Sequence, residues 1–157
     1  MTNEPQAASG DRHELITFLV GEQDFCMDIK LVREIRGWTS ITALPHAPAD
    51  VLGVMNLRGN VIPIVDLSER LGLGSYTPGE RSVIVVAMIA TQTVGFLVSA
   101  VTDIVGLSDK EIQPMPEVAS GEARTFVSGI VTSRERTLRV LNVDALGATM
   151  VAPAPAA

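Results

Sequence analysis

The chain has 157 residues and a formal charge of −6, and 46% of it is hydrophobic although only 4% is aromatic. That is enough for one compact domain or two small halves sharing a core of Val, Ile, Leu and Ala, a mixture that suits strands better than helices. The acidic balance argues against nucleic acid or an anionic membrane surface as partner, because both call for a basic footprint.

The start, Met1-Thr-Asn-Glu-Pro, lacks the basic flank and apolar stretch of a signal peptide. No apolar run reaches the length of about eighteen residues that a membrane helix needs, so the chain is expected to stay in the cytoplasm. Residues 1–12 are small and polar and read as a flexible tail, with the folded part at 13–147.

Two apolar runs of strand type follow, at 14–20 and 24–36, separated by the turn Gly21-Glu-Gln-Asp24. Cys26, the only cysteine, lies in the second run, so an internal disulfide is excluded and an inert buried thiol is expected. His13 and His46 have no ligand spacing, and neither a metal nor any other cofactor is expected. The next pair of runs, 52–57 and 61–66, flanks Arg58-Gly59-Asn60, and Asp66 can cap a short helix over 67–71.

Residues 72–81, Gly-Leu-Gly-Ser-Tyr-Thr-Pro-Gly-Glu-Arg, are turn-rich and read as a linker. Beyond them lie runs at 82–90 and 93–105 around Ala90-Thr-Gln-Thr93, then 126–131 and 137–141 around Ser133-Arg-Glu-Arg136. Asn142 can cap a second helix over 142–147, and 148–157 reads as an Ala/Pro tail.

The chain repeats itself. Gly53, Arg58 and Asp66 recur as Gly129, Arg134 and Asn142 at a constant spacing of 76, in both cases as strand, arginine turn, strand and polar cap. Upstream, Ile29, Val32, Glu34 and Ile35 match Val98, Val101, Asp103 and Ile104 at a spacing of 69. Each half, roughly 13–71 and 82–147, would be marginal alone, so the two should pack together as small β-barrels with a docking groove at their junction.

Chemistry finds no seat. Gly53 and Gly59 are not followed by the Lys-Ser/Thr of a phosphate loop. Val65-Asp66-Leu67-Ser68 is superficially like an aspartic-protease signature, but Leu67 stands where Thr or Ser is needed and the repeat puts Asn142 where the second carboxylate should be. A β-barrel hydrolase using Asp66 is the enzymatic alternative, and helix capping is the plainer role for the residue.

Val32-Arg-Glu-Ile-Arg-Gly37, Gly53-Val-Met-Asn-Leu-Arg-Gly59 and Ile62-Pro-Ile-Val-Asp-Leu67, in that order and spacing, resemble the CheW family of chemotaxis coupling proteins. Phe25-Cys-Met-Asp-Ile29, Val94-Gly-Phe-Leu-Val98, Val101-x-Asp-Ile-Val105 and Ile112-Gln-Pro-Met-Pro116 agree with it, and the resemblance covers about 14–147. It implies an all-β fold of two intertwined five-stranded SH3-like barrel halves on a shared apolar core, with short helices.

Its function would be non-enzymatic: an adaptor between the cytoplasmic tips of methyl-accepting chemotaxis receptors and the regulatory domain of the CheA histidine kinase, associated with membrane receptor arrays through those partners. By resemblance, receptor binding carries over to Val32, Glu34, Gly53, Arg58, Gly95 and Ile104, and kinase binding to Ile41, Leu44 and Val51. Glu34 could pair with Arg58, whereas Arg134 is expected to be structural or merely exposed. Val32 and Ile104 are expected to line the junction between the halves. An adaptor of a different chemosensory pathway, such as surface motility, is the alternative within the family.

Overall fold

A computed structural model describes residues 12–116 and 125–150. Ten strands and two helices lie wholly within the described residues, in order: β1 (Arg12–Val20), β2 (Gln23–Asp28), β3 (Val32–Gly37), β4 (Val51–Leu57), β5 (Asn60–Asp66), α1 (Leu67–Arg70), β6 (Val83–Ile89), β7 (Gln92–Val98), β8 (Ala100–Ser108), β9 (Val127–Ser133), β10 (Arg136–Leu141) and α2 (Val143–Met150). The strands form two five-stranded sheets, β8-β1-β2-β10-β9 and β3-β6-β7-β5-β4. The all-β expectation of two five-stranded units with short helices holds.

The sheets do not follow the two sequence halves. Each repeat contributes its first two strands to one sheet and its last three to the other, so the first sheet joins β1 and β2 to β8, β9 and β10. The exchange is made by two parallel pairings, β2 with β10 and β5 with β7, in otherwise antiparallel sheets. The linker at 72–81 therefore separates the repeats in sequence without separating the sheets.

Two of the expected strands are each two. The run 24–36 breaks at a 3-10 turn, Ile29–Leu31, where the Asp28 carboxylate accepts from the Lys30 amide at 2.9 Å. The run 93–105 breaks at Ser99, whose amide donates to the Leu19 carbonyl and whose hydroxyl accepts from the Gly21 amide. Both breaks are places where the chain crosses between sheets. Ile29, Val32 and Val101 pack there against the shared core, so apolar residues continue on either side of Asp28, Lys30 and Ser99 and no Gly or Pro marks the crossing.

That shared core draws Ile16, Phe18, Phe25 and Met27 from the first sheet and Val65, Val85, Phe96 and Val98 from the second, with Leu146 of α2 fully buried among them. Burying each of the large side chains contributes about 1.5–3 kcal/mol, which a sixty-residue half could not gather by itself. A smaller cluster fills each sheet's own interior: Leu15, Cys26, Leu107, Val131 and Leu138 in the first, Met55, Ile62, Ile64, Ile84 and Val86 in the second.

The helix caps are as the sequence indicates. Asp66 Oδ1 accepts from the Glu69 amide at 3.3 Å, and Asn142 Oδ1 accepts from the Ala145 amide at 3.1 Å. Helix α2 runs to Met150, three residues into the stretch expected to be a tail, because the cap and the buried Leu146 anchor a full two turns. Arg12 already belongs to β1; the remainder of the expected tails, 1–11 and 151–157, lies outside the described residues.

Candidate functional site

Four two-residue turns join the antiparallel hairpins, and each begins with a left-handed residue: Gly21, Arg58, Ala90 and Arg134. In the β4–β5 turn both central residues have positive φ, 52° at Arg58 and 88° at Gly59, and Asn56 Oδ1 holds the Gly59 amide at 3.0 Å. Arg134 and Glu135 repeat that turn with φ of 53° and 67°. The spacing of 76 read from the sequence is thus a backbone repeat as well.

The β4–β5 turn projects Arg58 back toward β3. Its Nη2 donates to Glu34 Oε1 at 2.5 Å, and Arg36 Nη1 donates to Glu34 Oε2 at 3.0 Å, so one carboxylate is held by two guanidiniums. The Arg36 and Arg58 guanidiniums keep the Glu34 carboxyl below its usual range, the Arg36 hydrogen bond first and the Arg58 one next. The Arg58 side chain is 70% exposed while that of Glu34 is 20% exposed. Glu34 is the fixed member of the pair, and Arg58 keeps donors free for something outside the chain. Arg33, Leu57, Asn60, Ile62, Val86 and Thr93 line the rest of this cleft, which lies wholly within the second sheet.

Gly53 and Gly95 are buried in the same sheet. At Gly53, with φ of 153°, a Cβ would lie 2.2 Å from the Thr42 carbonyl oxygen; the glycine lets the segment after β3 bridge onto β4, with Thr42 and Val54 exchanging hydrogen bonds of 2.9 and 2.8 Å. At Gly95 a Cβ would meet Ile64 Cδ1 at 2.7 Å and Ile84 Cγ2 at 2.8 Å. Val32 is half-buried against the shared core where β3 leaves the crossing.

Ile104 stands apart. It lies on β8 of the first sheet and is 50% exposed. Its counterpart in the repeat is Ile35, also exposed, whereas Val32 corresponds to Val101 at the core. Val32 and Ile104 therefore do not line the junction together, because alternation along the strand turns them in opposite senses. Nor is that junction an open groove: the space between the sheets is filled by the shared core.

Of the other candidate surface, Leu44 is 45% exposed, Val51 is half-buried at the start of β4, and Ile41 packs against the second sheet's inner cluster. Asp66 is buried with both carboxylate oxygens occupied, Oδ2 accepting from the Tyr76 amide at 2.9 Å as Oδ1 caps α1. That is the geometry of a structural group, and no second carboxylate faces it at the repeat position, Asn142. Among the described residues no cluster of three or more His, Cys, Asp or Glu could hold a metal ion, and no helix is long and apolar enough to cross a membrane.

Sequence reasoning missed Val86 and Thr93 as lining residues of the cleft. The signal was present: the spacing of 69 continues upstream, matching Thr17 to Val86 and Asp24 to Thr93, but the local identity there is low and only the paired sheets make the correspondence visible.

A family model described as the CheW-like domain matches residues 14–149. The chain is 49% identical over 146 residues to the chemotaxis protein CheW of Rhizobium meliloti, covering 93% of this chain and 94% of that one. It is 50% identical over 137 residues to the probable chemotaxis protein CheW of Rhizobium etli, covering 87% and 88%. Among solved structures, the scaffolding protein TtCheW from Thermoanaerobacter tengcongensis superposes with a TM-score of 0.76 at 30% identity, over 83% of this chain and 88% of that one.

Proposed function

The chain belongs to the CheW family, and from that premise we propose that it is a non-enzymatic adaptor that couples methyl-accepting chemotaxis receptors to a CheA-type histidine kinase. The observation that carries this reading is the Glu34–Arg58 arrangement: an ionised carboxylate fixed on β3 and an exposed arginine presented by the β4–β5 turn, in the motif positions on which the family resemblance rests. On this reading the receptor's cytoplasmic tip docks at the cleft, with Arg58 and Glu34 in direct contact. Gly53 and Gly95 keep the cleft's frame, and Val32 and Ile104 contribute from the seam and from the neighbouring sheet.

The kinase regulatory domain is assigned to the surface carrying Leu44, the most exposed of its three candidates, with Ile41 and Val51 half-buried. Signalling then needs no chemistry in this chain, only binding free energy that ties the state of one partner to the other. The adaptor works in the cytoplasm and reaches membrane receptor arrays through its partners.

The test is capture of a receptor cytoplasmic fragment and a kinase regulatory domain by the purified chain, with Arg58→Ala and Leu44→Ala beside the wild type. Wild type is expected to hold both partners, Arg58→Ala to lose the receptor selectively, and Leu44→Ala to lose the kinase selectively. Folded wild type that captures neither partner refutes the coupling role.

A further inference from the structure

The repeat supplies an internal comparison for the docking cleft. A cleft of the same construction opens on the first sheet, and its Arg134 donates to Asp103 at 2.8 Å as Arg58 does to Glu34. The arginine–carboxylate pair is therefore a property of the repeat and does not by itself distinguish one cleft from the other. What differs is the remainder of the charge.

In the first sheet, Arg136 grips Asp24 as a fork, Nη2 to Oδ1 at 2.7 Å and Nε to Oδ2 at 3.1 Å. Two arginines there answer two aspartates. In the second sheet the counterparts of Asp24 and Arg136 are Thr93 and Asn60, and Arg33 and Arg36 occupy the positions held by Thr102 and Val105. Arg36 and Arg58 both bond the single carboxylate of Glu34 and Arg33 lines the same cleft, a local surplus of positive charge on a chain of net −6. Among the described residues Arg33 is exposed and its side chain makes no hydrogen bond or ion pair.

We propose that Arg33 recognises a carboxylate on the segment that docks in the second-sheet cleft, the receptor tip on the reading above, and that this unduplicated arginine decides which of the two clefts is used. An unpaired guanidinium beside an already positive cleft attracts an acidic side chain and orients its approach. In the first-sheet cleft Arg134 and Arg136 each have an aspartate of their own, so neither is a guanidinium without an ionic partner as Arg33 is.

The experiment titrates a receptor cytoplasmic fragment, and separately a kinase regulatory domain, into the full chain as wild type, Arg33→Thr, Arg33→Glu and Arg81→Glu. Threonine is what the repeat itself places at the matching strand position, so Arg33→Thr keeps the strand intact. Arg81 is exposed in the linker outside both clefts. Arg33→Thr is expected to weaken receptor binding about fivefold, the scale an exposed ion pair supports, and to flatten its salt dependence. Arg33→Glu should weaken it further, with kinase binding and Arg81→Glu unchanged. Receptor binding of Arg33→Thr at wild-type strength and salt dependence overturns the inference, as does an equal loss in Arg81→Glu or a loss of kinase binding in its place. If Arg58→Ala loses the receptor while Arg33→Thr does not, the inference alone fails; if wild type does not bind the receptor fragment, the coupling role fails and takes the inference with it.

Discussion

Replacing Gly95 by alanine adds one methyl group where the second sheet's inner cluster has no room for it. A Cβ would sit 2.7 Å from Ile64 Cδ1 and 2.8 Å from Ile84 Cγ2, both atoms of fully buried side chains. Overpacking of this kind costs about 1–3 kcal/mol, and the lower entropy of the unfolded alanine chain offsets about 0.4–1 of that. A net loss of about 1–2 kcal/mol is expected, read as a lower urea midpoint at unchanged slope. The repeat shows how to relieve it. At the matching place in the first sheet stands Cys26, a larger residue, and its neighbours are Val140 and Leu15 where the second sheet has Ile64 and Ile84. Ile64→Val deletes the Cδ1 atom that the alanine would strike; alone it should cost about 0.5–1.5 kcal/mol. The double variant Gly95→Ala/Ile64→Val should be more stable than the sum of the two losses by about 1 kcal/mol, and should capture the receptor fragment better than Gly95→Ala. Additive losses in a urea double-mutant cycle would refute the packing argument. So would a Gly95→Ala chain of wild-type stability that loses the receptor, which would place the role of Gly95 at the surface.

Burial pushes the Cys26 thiol from 9.0 up to about 12, so the native chain at pH 8 should be inert to a disulfide thiol reagent and react fully once denatured; rapid native reaction would show that the first sheet's interior is open. Because the folded value lies above the unfolded one, this group's contribution to stability is complete below pH 9 and is lost as pH rises toward 12. Asp66→Ala removes the α1 cap and leaves the Tyr76 amide without its acceptor, and should cost about 1–2 kcal/mol, whereas Asp66→Asn keeps an oxygen for the cap and should cost less. Equal losses in thermal unfolding would mean that the oxygen contact to Glu69 is not what matters.

Much of the fold was readable because its determinants are local. Alternating apolar runs, four short turns and two capping residues place eight runs, two of which the fold divides to make ten strands, and two helices to within a few residues, and the spacing of 76 locates a hairpin that recurs with the same left-handed turn. The Glu34–Arg58 pair was legible too, since its two residues sit in the family's motif and carry opposite charge. The crossings at Ile29–Leu31 and Ser99 were not. A sequence marks a break by Gly, Pro or a run of polar residues, and here single polar residues (Asp28, Lys30, Ser99) lie between apolar ones that face a core on the way through.

What the sequence determined by itself is the class of the fold, the repeat, the family and the residues able to make an exposed arginine–carboxylate pair. Only the tertiary structure decided that each sheet is assembled from both repeats, that a neighbour comes close at Gly53 and at Gly95, and that Ile104 belongs to the other sheet. It also decided that the two clefts share one pair and differ in the charge around it. The physical reason is the same in each case. Turns, caps and alternation are settled within a few residues of chain, whereas a parallel pairing such as Val65 with Phe96, or a missing methyl beside Ile64, is settled by residues about thirty positions away whose proximity no local pattern encodes.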